Sequence, residues 1–189
     1  DAHAPSNSFS ASKTWMTLHP PGVQVNWHRS IWFKDRVPKH AFISWVVAWN
    51  RLHTRDRLKS WGFSIPAVCV LFNSGDESRE HLFFNCPYSS AIWTYFTRCV
   101  GLSPPTSFMA SLLWLKTAST SKTLSLIIKL LFQASIYLLL RERNSRIHTS
   151  SFLNHTQLIK EIQLIVRARL DPLSRRMGQG LVGDSLLMT

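Results

Sequence analysis

Hydrophobic and polar positions in the first half of the chain follow helical periodicity. Pro38 suits the first turn of a helix, and apolar side chains then recur at helical spacing as far as Leu52. The pattern predicts a helix over 38–52 with one apolar face, made of Ala41, Phe42, Trp45, Val46, Trp49 and Leu52.

Shorter elements flank this helix. Thr54 is placed to cap a second short helix that ends near Gly62. Residues 9–18 form a short helix or strand in this interpretation, and residues 27–33 form a short aromatic element. A helix over 89–100 follows the segment between Pro66 and Pro87, called here the knuckle, which holds the candidate metal ligands described below.

The second half of the chain is predicted to begin with a short helix over 108–116. The longest helical pattern of the chain follows, over 121–146. Apart from a narrow stripe at Ser125, Lys129 and Gln133 the long helix is apolar, which predicts that it is largely buried. The alternative is a membrane span, but the apolar run over 124–140 is shorter than the roughly 20 residues that a span needs. A final amphipathic helix over 156–170 is expected to stop at Asp171-Pro172.

Composition narrows the class of protein. The 189 residues are 45% hydrophobic, enough for a domain with a core. The net charge of +12 favours polyanionic partners, with nucleic acid before acidic membrane, although a basic surface without a bound partner stays open. The polar start has no signal-peptide core. We therefore expect an intracellular protein of nucleus or cytoplasm, and, as no Met precedes Asp1, a piece of a longer polypeptide or a gene fragment.

Two of the three cysteines lie at metal-ligand spacing. Cys69, His81 and Cys86 supply the thiolates and imidazole that zinc prefers, but Phe72 stands where the first close pair needs its second ligand. Zinc is the candidate cofactor, and the lost ligand argues against tight binding. Water, Asp76, His53 or Cys99 could take the fourth place. Two other interpretations stay open, a Cys69–Cys86 disulfide and buried cysteines beside a hydrogen-bonded histidine.

A basic, aromatic tract over 26–61, called here the basic tract, carries eight Lys and Arg against two Asp. Cations on phosphates release counterions and give salt-dependent affinity, and Trp27 and Trp32 could stack on unpaired bases. In the alternative interpretation the tryptophans are core and the cations are solvated. The candidate nucleic-acid-binding residues are Arg29, Lys34, Arg36, Lys39, Arg51, Arg55, Arg57, Lys59, Trp27 and Trp32.

Specific stretches of the chain resemble a known family. The motifs are WH at 27–28, IWF at 31–33, VPKHAFISW at 37–45, NRLHTRDRL at 50–58, WG at 61–62, EHLFFNCP at 80–87 and IW at 92–93. They resemble the zinc-binding region that follows the reverse transcriptase in plant LINE-type (non-LTR) retrotransposon polyproteins. The resemblance is dense over 9–96 and sparser over 130–175, where RERNSRIH at 141–148 looks like the family's helical tail. The family's knuckle is similar to C-x₂-C-x₈-H-x₄-C, so Phe72 replaces an aligned ligand.

These observations predict a mainly α protein, a small helical domain around a degenerate zinc knuckle followed by a long buried helix and an amphipathic C-terminal helix. The expected organisation is a flexible lead-in over 1–8, the zinc-binding-like domain over 9–100, a loop and short helix over 101–120, a helical tail over 121–176 and a frayed end over 177–189. The resemblance implies accessory, non-catalytic binding of RNA or DNA. The alternative is a structural or protein-interaction remnant that binds no nucleic acid.

Catalysis is disfavoured by the motifs of the chain. There is no glycine-rich phosphate loop, no close pair of carboxylates in a metal-binding context, and no H-E-x-x-H beside the candidate metal ligands. An open Cys₂His zinc site of the catalytic kind is therefore a minor alternative. Neither a small-molecule substrate nor a membrane partner is expected, and any polymerase or endonuclease activity would belong to parent domains absent from this chain.

Overall fold

The computed structural model describes residues 9–19, 22 and 25–177, with side chains up to Pro172. The predicted flexible lead-in over 1–8 and nearly all of the predicted frayed end lie outside these residues. The described part is helical, and its one antiparallel bridge, between Val68 and Asp76, belongs to no strand. The mainly α prediction is confirmed. In chain order the elements are α1 Ala11–Leu18, α2 His28–Ile31, α3 Pro38–Ala48, α4 Arg55–Ser60, a π-helix His81–Asn85, α5 Pro87–Cys99, α6 Phe108–Trp114, α7 Lys122–His148 and α8 His155–Met177.

The long helix α7 is the centre of the packing. It contacts α2, α3, α5, α8 and the π-helix, and Ser121 caps it by accepting a hydrogen bond from the Leu124 N–H. Length and composition alone would let α7 cross a membrane, but most of its apolar window is buried within the protein. Burial against helices on several sides explains why α7 has so few polar positions.

The core is a cluster of aromatic rings around α7. Phe132 of α7 contacts Phe84 of the π-helix, Trp93 of α5 and Phe108 of α6, with ring centroids 5.5–6.4 Å apart. The polar stripe of α7 also turns inward at one position, because Gln133 is fully buried and its amide donates to the Ile31 carbonyl at 2.9 Å. This contact joins α7 to α2 and fixes the start of the basic tract against the core.

Three local predictions were wrong. The buried face of α3 is made of His40, Ala41, Ser44, Val47 and Ala48, while Phe42 is 52% exposed and Trp49 is 46% exposed. The reason is that α3 is apolar on most of its circumference, so its packing against α7 and α2 decides which face is buried.

The other two errors concern helix ends. Thr54 makes no capping hydrogen bond with its side chain; instead Glu77 accepts from the Arg55 N–H at 3.2 Å. Pro172 lies inside α8. A proline costs a helix one hydrogen bond, to the carbonyl four residues earlier, and both Ala168 and Pro172 are exposed, so water can satisfy that carbonyl.

A candidate metal centre and its basic flank

The segment before the π-helix folds into a tight turn that presents Cys69. The Cys69 N–H donates to the Gly75 carbonyl and the Asn73 N–H donates to the Cys69 carbonyl, both at 2.9 Å. Gly75 has a φ of +67°, and a Cβ there would lie 2.7 Å from Cε1 of His81. Glycine is therefore required twice at this position, for its left-handed backbone and for the close approach of the imidazole.

The π-helix presents the other two side chains. The Cys86 N–H donates to the His81 carbonyl at 2.8 Å, five residues earlier, and the Ser78 hydroxyl accepts from the His81 N–H at 3.2 Å. Single π-turns are rare in proteins, and those that occur are frequently found at functional sites. Here the wide turn explains how a histidine and a cysteine separated by four residues both reach the same point.

The predicted ligands meet in space. The donor atoms of Cys69, His81 and Cys86 all lie within 4.8 Å of one another, and both cysteines are fully buried. Nε2 of His81 is also buried and has no hydrogen-bond partner. A buried imidazole nitrogen without a partner is unfavourable, and a metal ion held by this nitrogen and two sulfur atoms would remove that deficit. The three residues fit a metal ion as three of its ligands.

The two thiols are hydrogen-bonded to each other, which shifts their pKa values in opposite directions. A hydrogen bond from Cys69 lowers the pKa of Cys86 to about 6, against the opposing effect of burial, and the backbone N–H groups of Ser89 and Tyr88 at the start of α5 lower it further. The same hydrogen bond and burial raise the pKa of Cys69. All three cysteines of the chain are free thiols, so the disulfide alternative is not observed. The hydrogen bond between the thiols therefore favours the thiolate, the form that binds metals, at Cys86.

The fourth position remains without a protein ligand. Phe72 is 56% exposed, and among the described residues the candidate cluster contains only the three ligands named above. His53 contacts the ring of Trp61 instead, Asp76 is exposed, and Cys99 is half-buried at the end of α5. Zinc can therefore bind here through three protein ligands, as the sequence predicted.

Two arginines of α7 also hold the knuckle, a set of contacts that sequence reasoning missed. Arg143 donates to both carboxylate oxygens of the fully buried Glu77, at 2.7 and 3.3 Å. Arg146 donates to the carbonyls of Val70 and Leu71, at 3.3 and 2.5 Å, within the Cys69–Asn73 turn. The only signal in the sequence was the basic run at 141–148, which gave no indication of its partners.

Some of the cations of the basic tract make hydrogen bonds within the protein. Arg29, Lys34, Lys39, Arg51 and Lys59 are exposed. The other three cations are half-buried, and each donates to a backbone carbonyl: Arg36 to Phe33 at 2.8 Å, Arg55 to Val68 at 2.5 Å and Arg57 to Asn50. These three arginines therefore have structural roles whether or not they also contact phosphate.

The tryptophans differ from the expectation. Trp27 is only 5% exposed and lies edge-on beneath Trp49, with ring centroids 5.7 Å apart. Its ring cannot stack on a base in this fold, because it belongs to the core. Trp32 is half-buried under Arg36. The exposed tryptophan rings of the tract are instead those of Trp49 and Trp61, at 46% and 51%. Sequence spacing had assigned Trp49 to the core.

Comparison with known proteins gives one family match. No curated protein and no solved structure matches the chain significantly. Residues 9–93 match the model of the family described as zinc-binding in reverse transcriptase (zf-RVT). The match begins before α1, includes the basic tract and all three candidate ligands, and ends within α5, so α6, α7 and α8 lie outside it. The comparison supports a reverse transcriptase zinc-binding domain in this part of the chain.

Proposed function

We propose that this chain is a non-catalytic accessory domain that binds nucleic acid and derives from the polyprotein of a plant LINE-type retrotransposon. The family match supports the derivation from a reverse transcriptase polyprotein. The observation that carries the binding function is that five cations of the basic tract are exposed on the matched part of the chain. With a net charge of +12, such cations favour a polyanion and do not require a base sequence.

The metal centre has a scaffolding role in this proposal. The knuckle carries Asp76, Glu77 and Glu80 beside Arg79, which makes it a poor phosphate surface. Two of these carboxylates are engaged inside the fold: Glu77 with Arg143 and Glu80 with Arg79 and the Phe108 N–H. Glu77 also accepts from the Arg55 N–H of α4, and Arg79 donates to the Val47 and Ala48 carbonyls at the end of α3. In this proposal the knuckle therefore positions α3 and α4, and the flanking cations contact phosphate.

A second function, a protein-interaction remnant, is favoured by α1. Every residue of this helix is exposed, including Trp15 at 65%, Met16 at 63% and Leu18 at 69%. Exposed apolar side chains grouped on one element are typical of a protein interface. The two functions differ in their salt dependence, because only phosphate binding releases counterions.

The test is binding of the full chain to labelled single-stranded RNA and DNA, measured by fluorescence anisotropy as salt is raised. The double variant Arg51→Gln/Lys59→Gln should lower the log–log salt slope on single strands by about 1.4, or about 0.7 for each phosphate contact. Lys116→Gln/Lys122→Gln removes the same charge from exposed positions outside the tract and should leave the slope nearly unchanged. If the unmodified protein binds neither RNA nor DNA at low salt, the interaction remnant becomes the better proposal.

A further inference from the structure

We infer that a surface formed by Trp49, Arg51, Arg57 and Trp61, called here the Trp–Arg surface, is a base-stacking site that selects single-stranded over duplex nucleic acid. The inference rests on the proposed function and adds to it the strandedness of the ligand and the residue that recognises it. None of the four side chains is needed for the metal centre. Two of them, the tryptophans, are exposed large apolar side chains, at 46% for Trp49 and 51% for Trp61.

Paired cations and rings build this surface. The guanidinium of Arg57 lies 5.1 Å from the centroid of the Trp61 ring, and that of Arg51 lies 5.9 Å from the Trp49 ring. Arg57 also donates to the carbonyl of Asn50, the residue between Trp49 and Arg51. One arginine thus ties α4 to the loop after α3 and brings together the two segments that carry the tryptophans.

The rings are supported from below and remain exposed. Trp49 rests on the buried Trp27, so its orientation is fixed by the core. Trp61 follows α4, contacts His53 edge-on at 5.5 Å between centroids and keeps 51% of its surface exposed. A rigid, half-exposed indole beside a guanidinium is the arrangement on which an unpaired base stacks while its phosphate meets the cation.

The surroundings favour an anion. Lys59 is exposed at the end of α4, and Arg55 lies at its start. The one acidic neighbour on α4, Asp56, accepts the Arg57 backbone N–H at 2.8 Å. The surface is therefore cationic around its rings, which favours a polyanion over a basic or purely apolar partner.

A cleft beside Trp61 has room for a neighbouring nucleotide. His53, which contacts Trp61, also lines a cleft of about 530 Å³ between α4 and the last turns of α7. Leu52 and Leu58 provide apolar walls, and Arg143 and His148 lie on the α7 side. A single strand can follow the rings into this cleft, whereas in a duplex the bases are paired and stacked on each other and cannot reach the rings. Duplex binding would use only the phosphates.

The experiment compares Trp61→Leu with Trp15→Leu, which removes another exposed tryptophan ring, in α1. Each full-length variant is titrated with a labelled single-stranded oligouridylate, an oligothymidylate of the same length and a duplex of mixed sequence. We expect Trp61→Leu to weaken both single strands about tenfold, to leave the duplex unchanged and to keep the salt slope of the parent. Trp61→Phe, which keeps a ring, should retain most of the affinity, and Trp15→Leu should bind as the parent does.

The outcomes separate the two proposals. If the parent binds single strands but Trp61→Leu binds them as tightly as Trp15→Leu does, the Trp–Arg surface is excluded and the proposed function stands. Equal weakening of single strands and duplex would also overturn the inference, because it would assign Trp61 a structural role. If the parent binds no nucleic acid at low salt, both proposals fail together.

Discussion

Two sets of contacts meet in the knuckle. In the first, called here the metal side, Cys69, His81 and Cys86 bring their donor atoms within 4.8 Å of one another, yet Nε2 of His81 has no partner and Phe72 occupies the fourth ligand position. In the second, called here the helix side, Arg143 and Arg146 of α7 reach the same short segment and donate to carboxylate and carbonyl acceptors. The metal side is incomplete, whereas the helix side is complete. In small zinc domains the metal supplies the folding free energy; here a helix outside the family match can supply it.

The helix side has a connected network. Oε1 of Glu142 accepts from Arg146 at 2.7 Å and from the Leu153 N–H at 2.9 Å, and Arg146 in turn donates to the Leu153 carbonyl at 2.9 Å. The network joins the knuckle turn, the end of α7 and the segment before α8. Since its members are mostly buried and satisfied, we expect the knuckle to keep its fold without metal.

Of the changes considered, removing the Glu77 carboxylate should have the largest effect on the free energy of unfolding. Glu77→Ala leaves Arg143 buried without its carboxylate and removes the acceptor for the Arg55 N–H, and breaking a buried ion pair costs about 3–5 kcal/mol. The free energy of unfolding is measured by urea denaturation with a chelator present, so that metal makes no contribution. The neighbouring Asp76→Ala, at an exposed position, should change stability by no more than about 0.5 kcal/mol. Equal small effects in the two variants would mean that the helix side does not hold the knuckle.

The ligand set was predictable because it depends on local spacing, and the arginine network was not because its partners are distant in sequence. Cys69, His81 and Cys86 lie within 18 positions of one another, counting both ends, and the spacing carries the metal chemistry. Glu77 and Arg143 are 66 residues apart, and nothing in their own segments pairs them. On the sequence alone Glu77 was one of the acidic residues of the knuckle, and nothing predicted that the structure buries it completely.

The same distinction explains the helices. Periodicity located α7 to within two residues at its C-terminal end, because a long apolar run leaves few alternatives. Periodicity did not predict the orientation of α3, because this helix is short and apolar nearly all round. Trp27 is buried in the core, and Trp49 is exposed. Which tryptophan is buried depends on α2 and α7, and that information is absent from the local pattern.

Restoring the fourth ligand should make the metal side complete. Phe72→Cys supplies the second thiolate of the first pair, so we expect one chelator-resistant zinc per chain. Zinc at 100 times its dissociation constant would add about 2.7 kcal/mol to stability, or a rise in Tm of about 5–10 °C for a chain of this size. Thermal unfolding with and without zinc measures this rise.

Phe72→Ser is the matched control, because it removes the exposed ring without adding a strong ligand. This variant and the unmodified protein should change Tm by less than about 2 °C when zinc is replaced by chelator. Stoichiometric zinc that resists chelation in the unmodified protein would contradict the comparison, since it would mean that a fourth ligand completes the site despite Phe72.

The smallest predicted effect is a loss of stability in acid, and it arises where α3 packs against α7. His40 is 1% exposed, its Nε2 has no hydrogen-bond partner, and its ring lies 4.5 Å from the ring of Tyr137. Burial, with a smaller contribution from the adjacent charge of Lys39, lowers the pKa of His40 from 6.5 to about 4. As pH falls below 6.5 the unfolded chain takes up a proton that the folded protein excludes, so stability is lost progressively down to about pH 4. The expected loss from this residue is about 2 kcal/mol at pH 5.

His40→Phe should abolish that part of the acid sensitivity, because it keeps an aromatic ring against Tyr137 and has no proton to take up. Urea unfolding of both proteins at pH 7.5 and pH 5, with chelator present, gives the difference directly, and the carboxylates cancel because they are common to both. A loss between the two pH values that is the same in both proteins would mean that His40 is protonated in the folded state. Its ring would then have access to water, and α3 would pack less tightly against α7 than the structure shows.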